Sequence, residues 1–360
     1  MGESTKLSKL REKIDSIDRN ILELLNDRGA LAIEVSKLKQ QNSFDLYHPG
    51  REREIEDKIT SANPGPLPDE SVLAVFREII SSCRALQSPL RVAFLGPEGS
   101  YSHQAAFKEF GAQAELTPER TIDDVFREVE RARAVYGIVP VENSAEGSLG
   151  VVLDMFLDSE LLVSSEVYLR INHCLMSQSG NMDDVRTIAS HQQALAQCRM
   201  WLTERAPGRE LLESPSTTNA ALMAKEGGEV AAVAGELAAS IYDLQIIEKH
   251  IEDSSTNTTR FWVIGKTSVE PTESDKTSIM FSLRDEPGAL NKTLTAFSKA
   301  GVNLTKIESR PSRKRPWEYV FYVDFVGHHT SPEIEGILSE MRGGCIFLKI
   351  LGSYPMGRMD

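Results

Sequence analysis

The stretch LSKLREKIDSIDRNILELLNDRGALAIEVSKLK, residues 7–39, decides how the N-terminal region folds. Leu7, Leu10, Ile14, Ile17, Ile21 and Leu24 recur three and four apart, and the register continues through Leu31, Val35 and Leu38. This is the apolar heptad seam of one long helix. A helix over residues 4–42 is roughly 58 Å long at 1.5 Å per residue, too long for one small domain to cover. The pattern therefore predicts a partner chain that shares it. Arg28 sits on a seam position where an aliphatic residue is expected, and Arg11 and Lys39 lie one step off it on a single flanking stripe. Cations beside a mostly dry seam need anions, and few acids in the seam supply them. A small multi-anionic ligand held between helices is one reading. The other is a plain coiled coil whose arginines set register or snorkel.

Residues 48–56, HPGREREIE, place Pro49 at a helix start with Arg51 and Glu52 in the first turn. An arginine there works against the helix dipole, so it needs another reason to be present. Proline-rich residues 64–68 break the chain. A third helix follows over 70–87, with Val72, Val75, Phe76, Ile79, Ile80 and Cys83 on one face and Gln87 one turn on. Residues 7–87 resemble the all-helical class of chorismate mutase, an intertwined three-helix homodimer. The resemblance implies that Arg11, Arg28, Lys39, Arg51, Glu52 and Gln87 bind chorismate, with Arg11 crossing into the partner's site. Arg11 and Arg28 would grip carboxylates, Lys39 and Gln87 would donate to the ether oxygen, and Glu52 would hold a hydroxyl. Such a pericyclic rearrangement needs only conformer selection and charge stabilisation. Two departures stand out. His48 replaces a common aspartate, and Cys83, a substrate-side position, replaces a common serine.

Three hundred and sixty residues suggest two or three domains. Forty basic against fifty-three acidic residues give a net charge of −13, which argues against a nucleic-acid partner. The run Arg313-Lys314-Arg315 is too short to reverse this. No stretch approaches eighteen consecutive apolar residues, and the N-terminus lacks an export-signal pattern. The expectation is a cytoplasmic protein without a membrane partner. Cys83, Cys174, Cys198 and Cys345 form no CxxC pair and read as reduced thiols. The seven histidines show no metal-binding spacing, and His328-His329 reads as a strand-end feature. Neither a metal nor a cofactor is expected.

Composition changes at Pro89. LRVAFLG (90–96) reads as a buried strand that enters the glycine-rich turn GPEGSYSH and then a helix beginning near Ser102. Strand, glycine turn and helix form a general anion cradle, although this one has neither a phosphate-loop lysine nor GxGxxG. Strands and helices then alternate to about residue 265, arguing for an α/β fold with ligands beyond the carboxyl ends of strands. Glu142, Asn143 and Ser144 lie at one such end, either as a site or as a polar loop cap. GPEGSYSHQAA (96–106), VPVENSAEGSLG (139–150), SHQQALAQC (190–198), STTNAA (216–221) and Thr259-Arg260-Phe261 occur in order. Together they resemble prephenate dehydratase over about residues 90–266. The resemblance implies a two-lobed, periplasmic-binding-protein-like fold with its cleft between the lobes. Thr259 would be the proton donor. Asn143, Ser190 and Gln197 would position substrate, and Glu142 could act through a raised pKa in a dry cleft. Ser144, Arg260 and Phe261 would contact substrate, with Arg260 holding either the pyruvyl end or simply a neighbouring acid. Gln192 replaces the usual proline of the SH motif.

EPTESDK (270–276) reads as an exposed acidic linker, which would make the C-terminal unit separable from the dehydratase. The remainder shows the order βαββαβ, a ferredoxin-like unit whose fold alone says little about role. EPGAL (286–290) at its first helix start and IESRP (307–311) closing its second strand resemble the ACT regulatory domain of phenylalanine-sensing dehydratases. That implies an L-phenylalanine site at Gly288, Ala289 and Leu290 with Glu308, Ser309, Arg310 and Pro311, between paired ACT units. The whole is expected to be multidomain. Residues 1–88 form an all-α mutase, 90–267 an α/β dehydratase and 277–355 an α+β ACT domain, in a homodimer or larger oligomer. Three other readings stay open. They are a cleft that only binds solute, an N-terminal region that only dimerises or senses ligand, and arogenate in place of prephenate.

Overall fold

The computed structural model describes residues 2–42, 47–145, 147–312 and 318–358, with side chains 2–5 and 39–42 outside the described set. The run at 313–315 also lies outside it. The chain forms two compact units, Met1–Leu90 with Phe110–Glu115, and Arg91–Glu109 with Leu116–Asp360.

The first unit carries α1 (Gly2–Asn42), α2 (Pro49–Ala62) and α3 (Asp69–Ala85). Pro49 opens α2, where its missing N–H is no loss, and Asp69 and Glu70 complement the positive end of α3. Leu25, Gly29, Ile33, Val75, Ile79, Cys83 and Leu86 line an apolar groove between α1 and α3. The seam residues Leu7, Leu10, Ile14, Ile17, Ile21, Leu24, Leu31, Val35 and Leu38 are all exposed in the single chain. At about 1.5–3 kcal/mol for each fully buried aliphatic side chain, burying this stripe would contribute on the order of 10 kcal/mol.

The second unit begins with the elements of the two-lobed region. These are β1 (Arg91–Leu95), α4 (Tyr101–Phe110), β2 (Glu115–Glu119), α5 (Ile122–Glu130), β3 (Tyr136–Asn143), β4 (Gly147–Ser148), α6 (Gly150–Met155) and β5 (Leu162–Arg170). There follow β6 (Cys174–Ser177), β7 (Thr187–Ser190), α7 (Gln192–Gln197), α8 (Arg199–Arg205), β8 (Glu210–Glu213), α9 (Thr217–Lys225), β9 (Val230–Ala234), α10 (Glu236–Tyr242), β10 (Gln245–Lys249) and β11 (Thr258–Gly265). The first lobe is a sheet of order β2-β1-β3-β11-β5, with β4 on β3, and the second has order β10-β6-β9-β7-β8. The chain crosses to the second lobe after β5 and returns through β11, which lies antiparallel between β3 and β5. Buried strands such as VAAVA in β9 read as continuous apolar runs because helices cover both faces.

The C-terminal part contains β12 (Asp275–Leu283), α11 (Ala289–Lys299), β13 (Leu304–Pro311), β14 (Tyr319–Val326), α12 (Pro332–Gly344) and β15 (Cys345–Pro355). Its sheet runs β13-β14-β12-β15. Ile279, Phe281, Val323 and Phe325 face α11 and α12. The opposite face packs against the first lobe. Met280, Val320, Tyr322, Leu351 and Tyr354 share one core with Phe126, Phe156 and Trp262 of the first lobe. A Cβ on Gly352 would meet the Val163 backbone, so glycine lets β15 approach β5.

Residues 270–276 are therefore not an exposed linker throughout. Asp275 is buried and accepts hydrogen bonds from the Thr272 N–H at 2.7 Å and hydroxyl at 2.6 Å. Lys276 is buried against Glu166 at 2.7 Å. Cutting the chain at this point would open a shared core, so the C-terminal domain is not a detachable appendage. The shared face also encloses an ionic cluster. Arg260 reaches Glu166 at 2.7 Å, Asp324 at 2.6 Å and the Tyr354 hydroxyl at 2.9 Å. Breaking one partner of a buried pair leaves the other charge uncompensated, at about 3–5 kcal/mol. Asp324→Ala should lower the unfolding free energy by about 3 kcal/mol, read from urea denaturation of the full chain, and an unchanged midpoint would contradict the assignment.

Candidate active sites

The cleft of the second unit has a volume of about 330 Å³ and collects residues from both lobes, among them Tyr101, Asn143, His173, Gln197, Asn257, Thr259 and Phe261. Register explains the central pair. Thr259 of β11 lies opposite Asn143 of β3, so both side chains turn to the same face.

Hydrogen-bond directions follow from one backbone group. The Ala145 N–H donates to Asn143 Oδ1 at 2.9 Å, which identifies the other end of that amide as Nδ2. Nδ2 donates to Asn257 Oδ1 at 2.8 Å and to Thr259 Oγ1 at 2.9 Å. Asn257 Nδ2 must then donate to Gln197 Oε1, at 3.1 Å. His173 Nε2 lies 2.9 Å from the same oxygen, so it carries the proton. His173 Nδ1 is left as an acceptor for the Tyr101 hydroxyl at 2.7 Å, which shares its hydrogen with the Asn172 carbonyl at 3.0 Å. Thr259 thus accepts through its oxygen, and its own hydrogen, without an acceptor among the described residues, is left for the cleft. Donation from Asn143 polarises that O–H and strengthens it as a donor. Burial lowers the pKa of His173, partly opposed by Gln197 and Glu252. Burial also raises Tyr101 well above its ordinary value, so both stay neutral near pH 7.

Asn143, Gln197, Thr259 and Phe261 meet at the cleft, whereas other expected residues do not join them. Glu142 and Arg260 point to the opposite face of their strands, since successive strand residues alternate. Glu142 pairs with Lys306 at 3.1 Å, and Arg260 is held by the buried cluster, so neither has the substrate-facing role expected of it. Ser190 is fully buried and donates to the Val233 carbonyl at 2.6 Å, which ties β7 to β9. Ser144 clips its loop, donating to the Thr256 carbonyl and accepting from the Thr258 N–H. The sequence reading missed Tyr101, His173 and Asn257. Tyr101 lay in a quoted motif, but only the fold gives any of the three a partner.

In the helical unit Arg11 is exposed and Arg28 half-buried on α1. Seventeen residues separate them, about 26 Å along a helix, so one copy of α1 cannot bring both to one small ligand. The Lys39 side chain lies outside the described residues. Arg51 pairs with Glu54 at 2.6 Å. Glu52 pairs with Arg84 at 2.9 Å. Arg84 is buried, stands over the Tyr47 ring, and was not foreseen. Buried Gln87 Oε1 has no hydrogen-bond partner among the described residues, and Cys83 lines the apolar groove.

In the C-terminal sheet Gly288 caps α11 with φ of 79°, and Ala289 and Leu290 follow half-buried. Register runs Ser282 to Val320 to Arg310, so Arg310 and the turn before α11 share one end of the sheet. Glu308 lies 3.6 Å from both Lys306 and Arg310, and Arg310 pairs with Asp154 of α6 at 3.1 Å. A Cβ on Gly150 would meet the Arg310 guanidinium, so a larger residue there would have to displace the end of that arginine. Ser309 and Pro311 are exposed.

Comparison with known proteins covers the whole chain. The chorismate mutase type II family model matches residues 10–88, the prephenate dehydratase model 92–269 and the ACT domain model 277–343. A bifunctional chorismate mutase/prephenate dehydratase of Aquifex aeolicus is 47% identical over 354 residues, covering 97% of this chain and 98% of its own. The crystal structure of prephenate dehydratase from Arthrobacter aurescens in complex with L-Phe is 31% identical with a TM-score of 0.69. It covers 74% of this chain and 90% of its own. GqqA, described as a novel type of quorum quenching acylase, is also 31% identical with a TM-score of 0.68, covering 74% and 97%. No helix among the described residues is long and apolar enough to cross a membrane.

His173 should titrate below its ordinary value of 6.5, because burial favours the neutral ring. The unfolded chain then binds the proton more readily than the folded one. The contribution to stability is present above pH 6.5 and is lost as pH falls below it. An NMR titration placing this ring at or above 6.5 would contradict the assigned environment.

Proposed function

This chain belongs to the family of bifunctional chorismate mutase/prephenate dehydratases, and from that membership we propose how its residues divide the two reactions. It is an isomerase and a lyase of phenylalanine biosynthesis with an ACT regulatory domain. The dehydratase step belongs to the cleft. Thr259 gives its proton to the departing ring hydroxyl, which leaves as water. The ring carboxylate leaves as carbon dioxide, and its bonding pair completes the aromatic ring. Solvent then returns a proton to Thr259. A hydroxyl is a weak acid, so its neighbours must supply the catalytic effect. The observation that carries this reading is the fixed amide of Asn143, which leaves the Thr259 hydrogen uncommitted. Gln197 orders the network behind that pair, and Phe261 forms the wall.

The mutase step is assigned to α1, α2 and α3 of two chains. The exposed seam and the separation of Arg11 from Arg28 support an intertwined dimer, with Arg11 of one chain completing the site of the other. Arg28, Lys39, Arg51, Glu52 and Gln87 supply the remaining contacts, with Cys83 beside them and Arg84 holding Glu52 in place. The effector is L-phenylalanine, bound at the turn Gly288–Leu290 and the strand Glu308–Pro311. Support comes from the ACT match and from a dehydratase relative solved with L-Phe. Four free cysteines are in keeping with work in the reducing cytoplasm.

Following chorismate, prephenate and phenylpyruvate over time, with and without L-phenylalanine, tests the division. Lys39→Ala should abolish consumption of chorismate and leave prephenate turnover intact. Thr259→Ala should do the reverse, lowering phenylpyruvate formation by at least about 10²-fold. Loss of both activities in either variant would contradict two separate sites.

A further inference from the structure

Prephenate carries two carboxylates, yet none of the described residues lining the cleft is a lysine or an arginine. We propose that the N-termini of α4 and α9 hold these carboxylates, one from each lobe, with the hydroxyls of Ser102 and Thr218. This rests on the cleft being the dehydratase site. The two helix starts repeat one layout. Ser100 accepts the His103 N–H at 3.2 Å and Ser216 accepts the Asn219 N–H at 2.9 Å. Each cap serine therefore satisfies the third helical N–H and leaves the first two, of Tyr101 and Ser102 or of Thr217 and Thr218, without an acceptor among the described residues.

The second residue of each helix is a hydroxyl side chain that lines the cleft. Ser102 is 6% exposed and Thr218 1% exposed, and neither hydroxyl has a hydrogen-bond partner among the described residues. Neither oxygen is among the sealed-in unpartnered atoms of the core, so both hydroxyls open onto the cleft, where a bound group can supply the partner they lack. Two free N–H groups, a hydroxyl and the positive end of a helix together form a carboxylate receptor. The α4 receptor follows β1 of the first lobe and the α9 receptor precedes β9 of the second, so the dianion bridges the lobes. Because helix dipoles are fixed, this arrangement recognises charge without a flexible cation near the carboxylate that must leave.

The test uses the full chain with Ser102→Ala, Thr218→Val and Thr218→Ser, taking the thermal unfolding midpoint as control for folding. Each of the first two substitutions should raise the KM for prephenate about tenfold with kcat changed less than about twofold, and Thr218→Ser should restore the KM. Phenylpyruvate keeps one carboxylate, so as a product inhibitor it should weaken in one of these two variants and not the other. An unchanged KM in both, or equal weakening of phenylpyruvate in both, would overturn the proposal. Failure of the underlying reading looks different, because Thr259→Ala would then retain full dehydratase turnover.

Discussion

Thr259 and Asn143 face the cleft because Arg260 and Glu142 face the C-terminal sheet. In an extended strand successive side chains point to opposite sides, and β3 and β11 are paired so that the alternation is in phase. One face receives an amide and a hydroxyl 2.9 Å apart. The other receives a carboxylate and a guanidinium, which meet Lys306 and Asp324 of the C-terminal domain. A one-residue slip of either strand would exchange these roles. Both strands are locked by burial on both sides, which makes such a slip costly.

The consequence is that the C-terminal sheet and the cleft lie against opposite faces of the same two strands, β3 and β11. The cluster of Arg260, Lys276, Glu166 and Asp324 is balanced in charge, and its members are nearly completely buried. Such clusters add less to stability than their contacts suggest, because desolvation offsets attraction. They do fix geometry, since displacing one member leaves an unpaired charge. Around the cluster, Phe156 and Trp262 meet edge to face at 5.5 Å, in a core that includes residues from both domains.

Much of the fold was legible in the sequence. Heptad spacing revealed α1, and alternating strands and helices revealed the α/β region. Pro49 and the prolines at 64–68 marked the helix ends. The cleft was half legible. Thr259, Asn143 and Gln197 stood in recognisable motifs and do meet. Arg260 and Glu142 adjoin cleft residues in the sequence, but the strand period turns them to the other face, where Arg260 takes neighbouring acids, one of its two open readings, rather than substrate. Asn257 and His173 gained meaning only from contacts across long stretches of chain, such as the 114 positions from Asn143 to Asn257. Ser190 looked like a site residue because its partner, a backbone carbonyl on β9, has no signature in the sequence. The linker was misread because acidic composition cannot reveal that Asp275 folds back on Thr272.

The central claim is that Asn143 acts as a donor to Thr259 and so leaves the threonine hydrogen to the substrate. Asn143→Asp keeps the shape and removes that donor. The threonine would then spend its hydrogen on the new carboxylate. Steady-state dehydratase kinetics of this variant should show kcat reduced by about 10²-fold or more, with the unfolding midpoint and the mutase rate unchanged. A kcat within twofold of the parent chain would contradict the account.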